Sequence, residues 1–231
     1  MSRRRADHGA AGHKPGTACR EQIVILGTGG TAIDFSEAAL ASGNEVLGFL
    51  DDDVNAKHKG LPVLGPLASW KDMPASAKFF LGIGSISSYQ HRLEIVAKLG
   101  IPEERFATII HPRAVLSPSA SLGPGCGILA LATLGARVRV GAHVEVLQLC
   151  LVGHDCCLED GVILTGGANL AGSVHVGRCA YIGAGASVKG GARVGAGSLL
   201  GMNSTLLEDL PEGTVYAGSP ARLVRKVTVT A

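Results

Sequence analysis

The chain has 231 residues, 46% hydrophobic and 17% charged, which gives room for two small domains or one large one with a real core and excludes global disorder. Its net charge of +2 conceals a basic start: residues 1–20 carry +4 (Arg3, Arg4, Arg5, Lys14 and Arg20 against Asp7), leaving the rest at −2, a poor match for binding a nucleic-acid backbone. No apolar stretch follows the arginines as a secretory leader would need, and no run approaches the roughly 18 apolar residues that span a bilayer.

In chain order, residues 1–21 read as a disordered basic leader. Residues 22–27 (QIVILG) have the pattern of a short buried strand running into Gly27-Thr28-Gly29-Gly30-Thr31-Ala32, and a helical stretch follows to about Ser42. A second strand, Glu45–Leu50, ends in Asp51-Asp52-Asp53. Strand, glycine loop, helix and acidic strand end form the βαβ arrangement that holds a phosphate at a helix N-terminus and a ribose on a carboxylate. A third strand is expected near Lys78–Ile83 and a helix near Tyr89–Leu99. The segment 22–108 is too short for a full dinucleotide site, which disfavours a nicotinamide-dependent oxidoreductase and leaves a nucleotide mono- or diphosphate as the better fit.

From Leu116 the pattern changes. An aliphatic residue falls on every sixth position, from Leu116, Leu122 and Ile128 through to Leu200 and Leu206, sixteen times without a break. Four residues later sits a mostly small residue, as at Cys126, Ala132, Cys150, Ala168 and Ala186. Glycine often follows the aliphatic residue directly, as at Gly123, Gly135, Gly141, Gly177 and Gly183. The 33 glycines are about twice the usual roughly 7%. These features predict a β-solenoid over 109–231, with three hexapeptides to a coil, aliphatic and small residues facing inward, and glycines supplying turn conformations. Periodicity does not set the hand of the coil.

The six cysteines (Cys19, Cys126, Cys150, Cys156, Cys157, Cys179) lack the spacing of a disulfide framework and read as cytosolic thiols, which gives a cytoplasmic address. Cys126, Cys150 and Cys156 fall on inward small positions and Cys157 does not, so His154-Asp155-Cys156-Cys157 is not read as a metal site. His143, His154 and His175 fall at different phases of the hexapeptide, which argues against a three-histidine zinc site. No metal is expected.

The series VILGTGG, GFLDDD, GLPVLG, FFLGIGS and FATIIHPRA, followed by the hexapeptides and VYAGSPAR, resembles the sugar-nucleotide N-acetyltransferases and sialic acid O-acetyltransferases, PglD-like and perosamine N-acetyltransferase-like, over residues 22–227. The resemblance implies a Rossmann-like domain followed by a left-handed parallel β-helix, a homotrimer with active sites between subunits, and acetyl-CoA as co-substrate. It implies a nucleotide-linked amino sugar along Gly29, Gly30, Thr31, Asp51, Asp52 and Gly84. His154 matches the base and Asp155 the acid beside it, while Ile163, Ala184 and Met202 match the acetyl-CoA contacts. The chemistry is coherent: an amine attacks a thioester only when unprotonated, and histidine is suited to take the proton at neutral pH. The chain departs from the family at Thr31, Leu147 and Ile163, where polar residues are common. Three functions follow as expectations: N-acetylation of a UDP- or GDP-linked 4-amino-6-deoxy sugar for glycan or O-antigen synthesis, O-acetylation of a sugar of the sialic acid type, or an inactive nucleotide-sugar-binding trimeric scaffold.

Overall fold

The computed structural model describes residues 20–54 and 60–227, so the leader read at 1–21 lies outside the described residues apart from Arg20 and Glu21. The QIVIL run is β1 (Gln22–Leu26), followed by α1 (Gly30–Ala41), β2 (Glu45–Leu50), β3 (Val63–Gly65), β4 (Lys78–Leu81) and α2 (Arg92–Leu99). The four strands form one parallel sheet in the order β3-β2-β1-β4. Central β1 is buried on both faces, as a continuous apolar run requires. Ile23 and Ile25 pack with Phe35 and Ala39 of α1, while Val24 and Leu26 pack with Phe79, Leu81 and the Ile95–Leu99 side of α2. The stretch expected as one helix from Tyr89 opens as a 3-10 turn (Tyr89–His91) and becomes α-helical at Arg92. Gly100, at φ 62°, ends it in the left-handed region that glycine takes without a steric penalty.

From Ile109–Ile110 to Thr205–Leu206 the chain makes two-residue strands separated by four-residue corners. Each strand pairs in parallel with those 18 residues before and after it, as in Gly127↔Glu145↔Ile163 and Arg139↔Cys157↔His175. Three sheets result. The first face carries Gly127, Glu145, Ile163, Tyr181 and Leu199 on its outer surface, the second Val115, Thr133, Leu151, Asn169, Ser187 and Thr205, and the third Ser121, Arg139, Cys157, His175 and Arg193. The sixth-position aliphatic residues and Cys126, Cys150 and Cys156 fill the interior. Thr214–Ala217 extends the first face, and Arg222–Lys226 folds back on it antiparallel.

One expectation needs correction. The glycines directly after the aliphatic residues do not supply left-handed turns. The left-handed residue stands two positions further on, at fourteen consecutive corners from Gly125 to Asn203, and eight of these are not glycine: Leu131, Arg137, His143, Leu149, Asp155, Ser173, Cys179 and Asn203. Inter-coil bonds hold these corners, as where the N–H of Asp155 donates to the Ala136 carbonyl at 2.9 Å. The earlier glycines serve coil spacing instead: a Cβ on Gly177 would lie 2.7 Å from the Ala196 nitrogen, and one on Gly123 2.7 Å from the Gly141 carbonyl carbon. Gly177→Ala should therefore destabilise the fold by about 1–3 kcal/mol, read as a lower denaturation midpoint with unchanged m-value.

The sheet domain sits on the first face. A Cβ on Gly127 would meet Phe80 at 2.7 Å, so the close approach needs glycine. Among the described residues the second and third faces have no such cover.

Candidate active site

The crossing from β1 to α1 opens a cavity of about 400 Å³, lined by Gly29, Gly30, Thr31, Asp51, Asp52 and Gly84 together with Thr28, Gly82, Ser85 and Ser88. All six sequence-derived substrate positions meet there. Helix α1 starts with Gly29 as N-cap and has no side-chain cap, so its first-turn N–H groups are left for an anion. Nothing stands within 4 Å of a Cβ built on Gly29 or Gly30, which is open space beside those donors. Asp51 is fixed on both oxygens: Thr28 Oγ1 donates to Oδ2 at 2.6 Å, and the Asp53 N–H donates to Oδ1 at 2.9 Å. Asp52 Oδ1 accepts from the Leu67 N–H at 3.0 Å.

His154 and Asp155 lie on the corner between the second and third faces. His154 Nδ1 is 2.7 Å from Asp155 Oδ2. Arg137, one coil earlier, grips the same carboxylate from Nε to Oδ1 at 2.6 Å and from a terminal nitrogen to Oδ2 at 2.8 Å. The Arg137 hydrogen bonds first, and that of His154 second, hold Asp155 well below the usual carboxylate range. An ionised carboxylate only accepts, so His154 Nδ1 carries the proton and Nε2 presents a lone pair. A Cβ on Gly172, one coil later, would lie 2.6 Å from His154 Cε1 and Nε2, so the ring rests on a surface only glycine leaves free. Arg137 and Gly172 escaped the linear reading. Their signal is the 18-residue coil, which stacks 137 under 155 and 172 over 154. With His154 in the base role that the resemblance implies, Arg137→Gln should lower turnover about 10- to 100-fold with little change in KM, through misplacement of the imidazole rather than loss of a reacting group; steady-state kinetics checks it.

Ala184 and Met202 stack on the corner between the first and second faces, both exposed, Met202 at 73%. Their backbone N–H groups have no partner among the described residues and are free for a ligand oxygen. Ile163 stands apart from both corners. It is 1% exposed, packed with Tyr89 and Leu199, with its Cδ1 2.9 Å from the point a Gly84 Cβ would occupy. Leu147 packs into the sheet-domain core, and neighbouring Gln148 donates to Asp34 Oδ2 at 3.1 Å. Thr31 stays at the cavity wall. Among the described residues no group of three His, Cys, Asp or Glu is placed to hold a metal ion, and no helix is long and apolar enough to cross a membrane.

The two halves of the site are far apart within one chain. Gly84 abuts Ile163 and Glu145 on the first face, whereas His154 is on the edge opposite that face.

A family model described as the PglD N-terminal domain matches residues 22–99. No curated protein matches the chain. Among solved structures, PerB from Caulobacter crescentus in complex with CoA and GDP-perosamine is 30% identical, covers 88% of this chain and 97% of its own, and superposes with a TM-score of 0.79. A histidine-to-asparagine mutant of perosamine N-acetyltransferase from the same organism, with the same two ligands, is 29% identical over 89% of this chain and 97% of its own, with a TM-score of 0.81. The acetyltransferase domain of PglB from Neisseria gonorrhoeae FA1090, in complex with acetyl coenzyme A, is 29% identical over 89% of this chain and all 100% of its own, with a TM-score of 0.81. The fold is thus a Rossmann-like domain on a left-handed parallel β-helix, with the hand that periodicity left open.

Proposed function

This chain belongs to the PglD-like sugar-nucleotide N-acetyltransferases, and from that premise we propose that it moves the acetyl group of acetyl-CoA onto the amino group of a nucleotide-linked 4-amino-6-deoxy sugar. The observation that carries the reading is the cavity at the α1 N-terminus, in which all six substrate positions converge. The uncapped helix end takes the diphosphate, and Asp51 and Asp52 face the nucleoside. His154 Nε2 accepts the proton of the attacking amine. Asp155, steadied by Arg137, stabilises the imidazolium that forms. The Ala184 and Met202 N–H groups bind the acetyl-CoA chain. Ile163, matched by the resemblance to an acetyl-CoA contact, is instead buried against Gly84 and shapes the junction behind the sugar. Transfer is direct, through a ternary complex, in a soluble cytoplasmic enzyme of glycan or O-antigen synthesis.

A homotrimer completes the site. The second face carries no charge along its outer column (Val115, Thr133, Leu151, Asn169, Ser187, Thr205), and Val115, Leu151 and the neighbouring Leu131 and Leu149 are between 45% and 63% exposed. Packing these faces about a threefold axis covers the apolar strip. It also brings the Ala184–Met202 corner of one chain to the His154 corner of the next.

Thiol release from acetyl-CoA with UDP- and GDP-linked amino sugars tests the activity. Amine-dependent release supports the reading. Release only with hydroxyl sugars supports O-acetylation, and nucleotide binding without any release supports a scaffold. Gly30→Asp places a carboxylate at the helix N-terminus in open space, so it should weaken nucleotide-sugar affinity about tenfold or more while the chain stays folded, as titration calorimetry would read.

A further inference from the structure

Asp34 and Gln148 join the two halves of the site that lie within one chain. Leu147 packs into the sheet-domain core, and the half-buried Gln148 beside it donates from Nε2 to Asp34 Oδ2 at 3.1 Å. Asp34 is exposed, and among the described residues this neutral amide is the only hydrogen-bond partner of its carboxylate, with no cation in reach. Gly30 and Thr31 of the nucleotide cavity stand four and three residues before Asp34, on the same side of α1. A helical side chain leans over the turn N-terminal to it, so Asp34 leans toward the cavity end of the helix. On the solenoid, Gln148 heads a column that runs through Gly166 to Ala184 and Met202. The carbonyls of Gln148, Gly166 and Ala184 accept the N–H groups of Gly167, Gly185 and Asn203 in the following coils, at 2.8, 3.0 and 2.8 Å. A Cβ on Gly166 would meet nothing nearer than the Gln148 carbonyl at 3.5 Å, so the column lies open between Gln148 and Ala184.

We propose that Asp34, held in place by Gln148, selects an amino over a hydroxyl acceptor by binding the ammonium group of the nucleotide-linked sugar, an inference that rests on the acetyl-transfer reading above. With the nucleotide at the α1 N-terminus and acetyl-CoA on the Ala184–Met202 column, the acceptor nitrogen has to lie between them, and the Asp34–Gln148 bridge spans that gap. His154 is six residues from Gln148, a third of a coil and about 1.6 Å of rise. A threefold axis along the solenoid therefore sets the partner subunit's His154 level with the pair. An amine with a pKa of about 8 arrives protonated at neutral pH, whereas a hydroxyl arrives neutral. The Asp34 oxygen that Gln148 leaves open makes a charge-assisted hydrogen bond to the first and a weaker bond to the second. The ammonium then releases one proton to solvent. The nitrogen bonds the acetyl carbon, the C–S bond breaks, and His154 takes the second proton and passes it to the departing thiolate. Asp34 moves no proton in these steps. It supplies polarity beside Leu147, one of the positions where the chain departs from the family.

The test is titration calorimetry on the full chain with CoA present, using UDP- and GDP-linked 6-deoxy sugars in pairs that differ only in an amino or a hydroxyl group at the acceptor position. The expected result is that the wild type binds the amino form about five- to tenfold more tightly than the hydroxyl form. Asp34→Asn should erase that preference while holding the hydroxyl form within about twofold of wild type, which reports an intact cavity. Gln148→Ala should reduce the preference in part. No amino preference in the wild type, or one unchanged in Asp34→Asn, would overturn the proposal and leave the acetyl-transfer reading standing. Equal losses for both sugars in Asp34→Asn would make the residue a structural one and overturn the proposal as well. Binding of neither sugar in either nucleotide form would overturn that reading and the proposal together.

Discussion

His154→Ala is expected to lower the turnover of acetyl transfer by about 10²- to 10⁴-fold while leaving nucleotide-sugar and acetyl-CoA affinities near wild type. The imidazole is 64% exposed and, among the described residues, bonds only Asp155, so its removal leaves the solenoid intact. In the proposed mechanism what is lost is the acceptor lone pair on Nε2, which acts only as the amine's proton departs, so the deficit falls on kcat. Steady-state kinetics with both substrates varied separates this from a binding defect. Equal losses in KM and kcat/KM with kcat unchanged would mean that His154 binds substrate rather than moving a proton.

Arg92→Met is expected to lower the unfolding free energy by about 3–5 kcal/mol. Arg92 and Glu145 are each fully buried and pair across the junction of α2 with the first face of the solenoid. Arg92 also donates to the carbonyls of Ile83 at 2.8 Å and His143 at 3.1 Å, so one side chain closes the interface. Removing it strands the Glu145 carboxyl, which burial already pushes above the usual glutamate range against the opposing pull of Arg92. The sign follows. A carboxyl with a raised folded-state pKa keeps its proton in the native chain where the unfolded chain gives it up, so stability falls as pH rises above the ordinary glutamate value. The deficit of Arg92→Met should therefore be larger at pH 8 than at pH 5 in denaturant titrations. A deficit independent of pH would mean that Glu145 finds another partner.

Much of this was legible in the sequence because a β-helix writes its register on the chain. An inward side chain on every sixth residue cannot be satisfied by a helix or an open sheet, and the interior of the structure is built from those positions. That the glycine loop and Asp51 would line one cavity was readable because a βαβ unit sets its first turn beside the end of its second strand. The left-handed corner column was hidden because inter-coil hydrogen bonds let Leu131, Arg137 or Asp155 occupy it, so no residue type marks it. β3, at three residues, is too short for a pattern. The Arg92–Glu145 pair is tertiary, joining segments 53 residues apart. Arg137 and Gly172 fall between, visible only when the chain is wound at 18 residues per coil.

The account rests most heavily on an acetyl-transfer site assembled between chains, with the cavity on one side of a protomer and the base on the opposite edge. Subunit mixing tests it directly. His154→Ala lacks the base and keeps the cavity, whereas Gly30→Asp keeps the base and weakens the cavity. Unfolded together in equal amounts, refolded and assayed with nucleotide sugar well below its KM, the two impaired variants should regain about a quarter of wild-type kcat/KM, the share of interfaces in a random ring that join two intact halves. A refolded mixture as inactive as either variant alone, in trimers that bind acetyl-CoA, would place base and cavity in one chain and contradict the account.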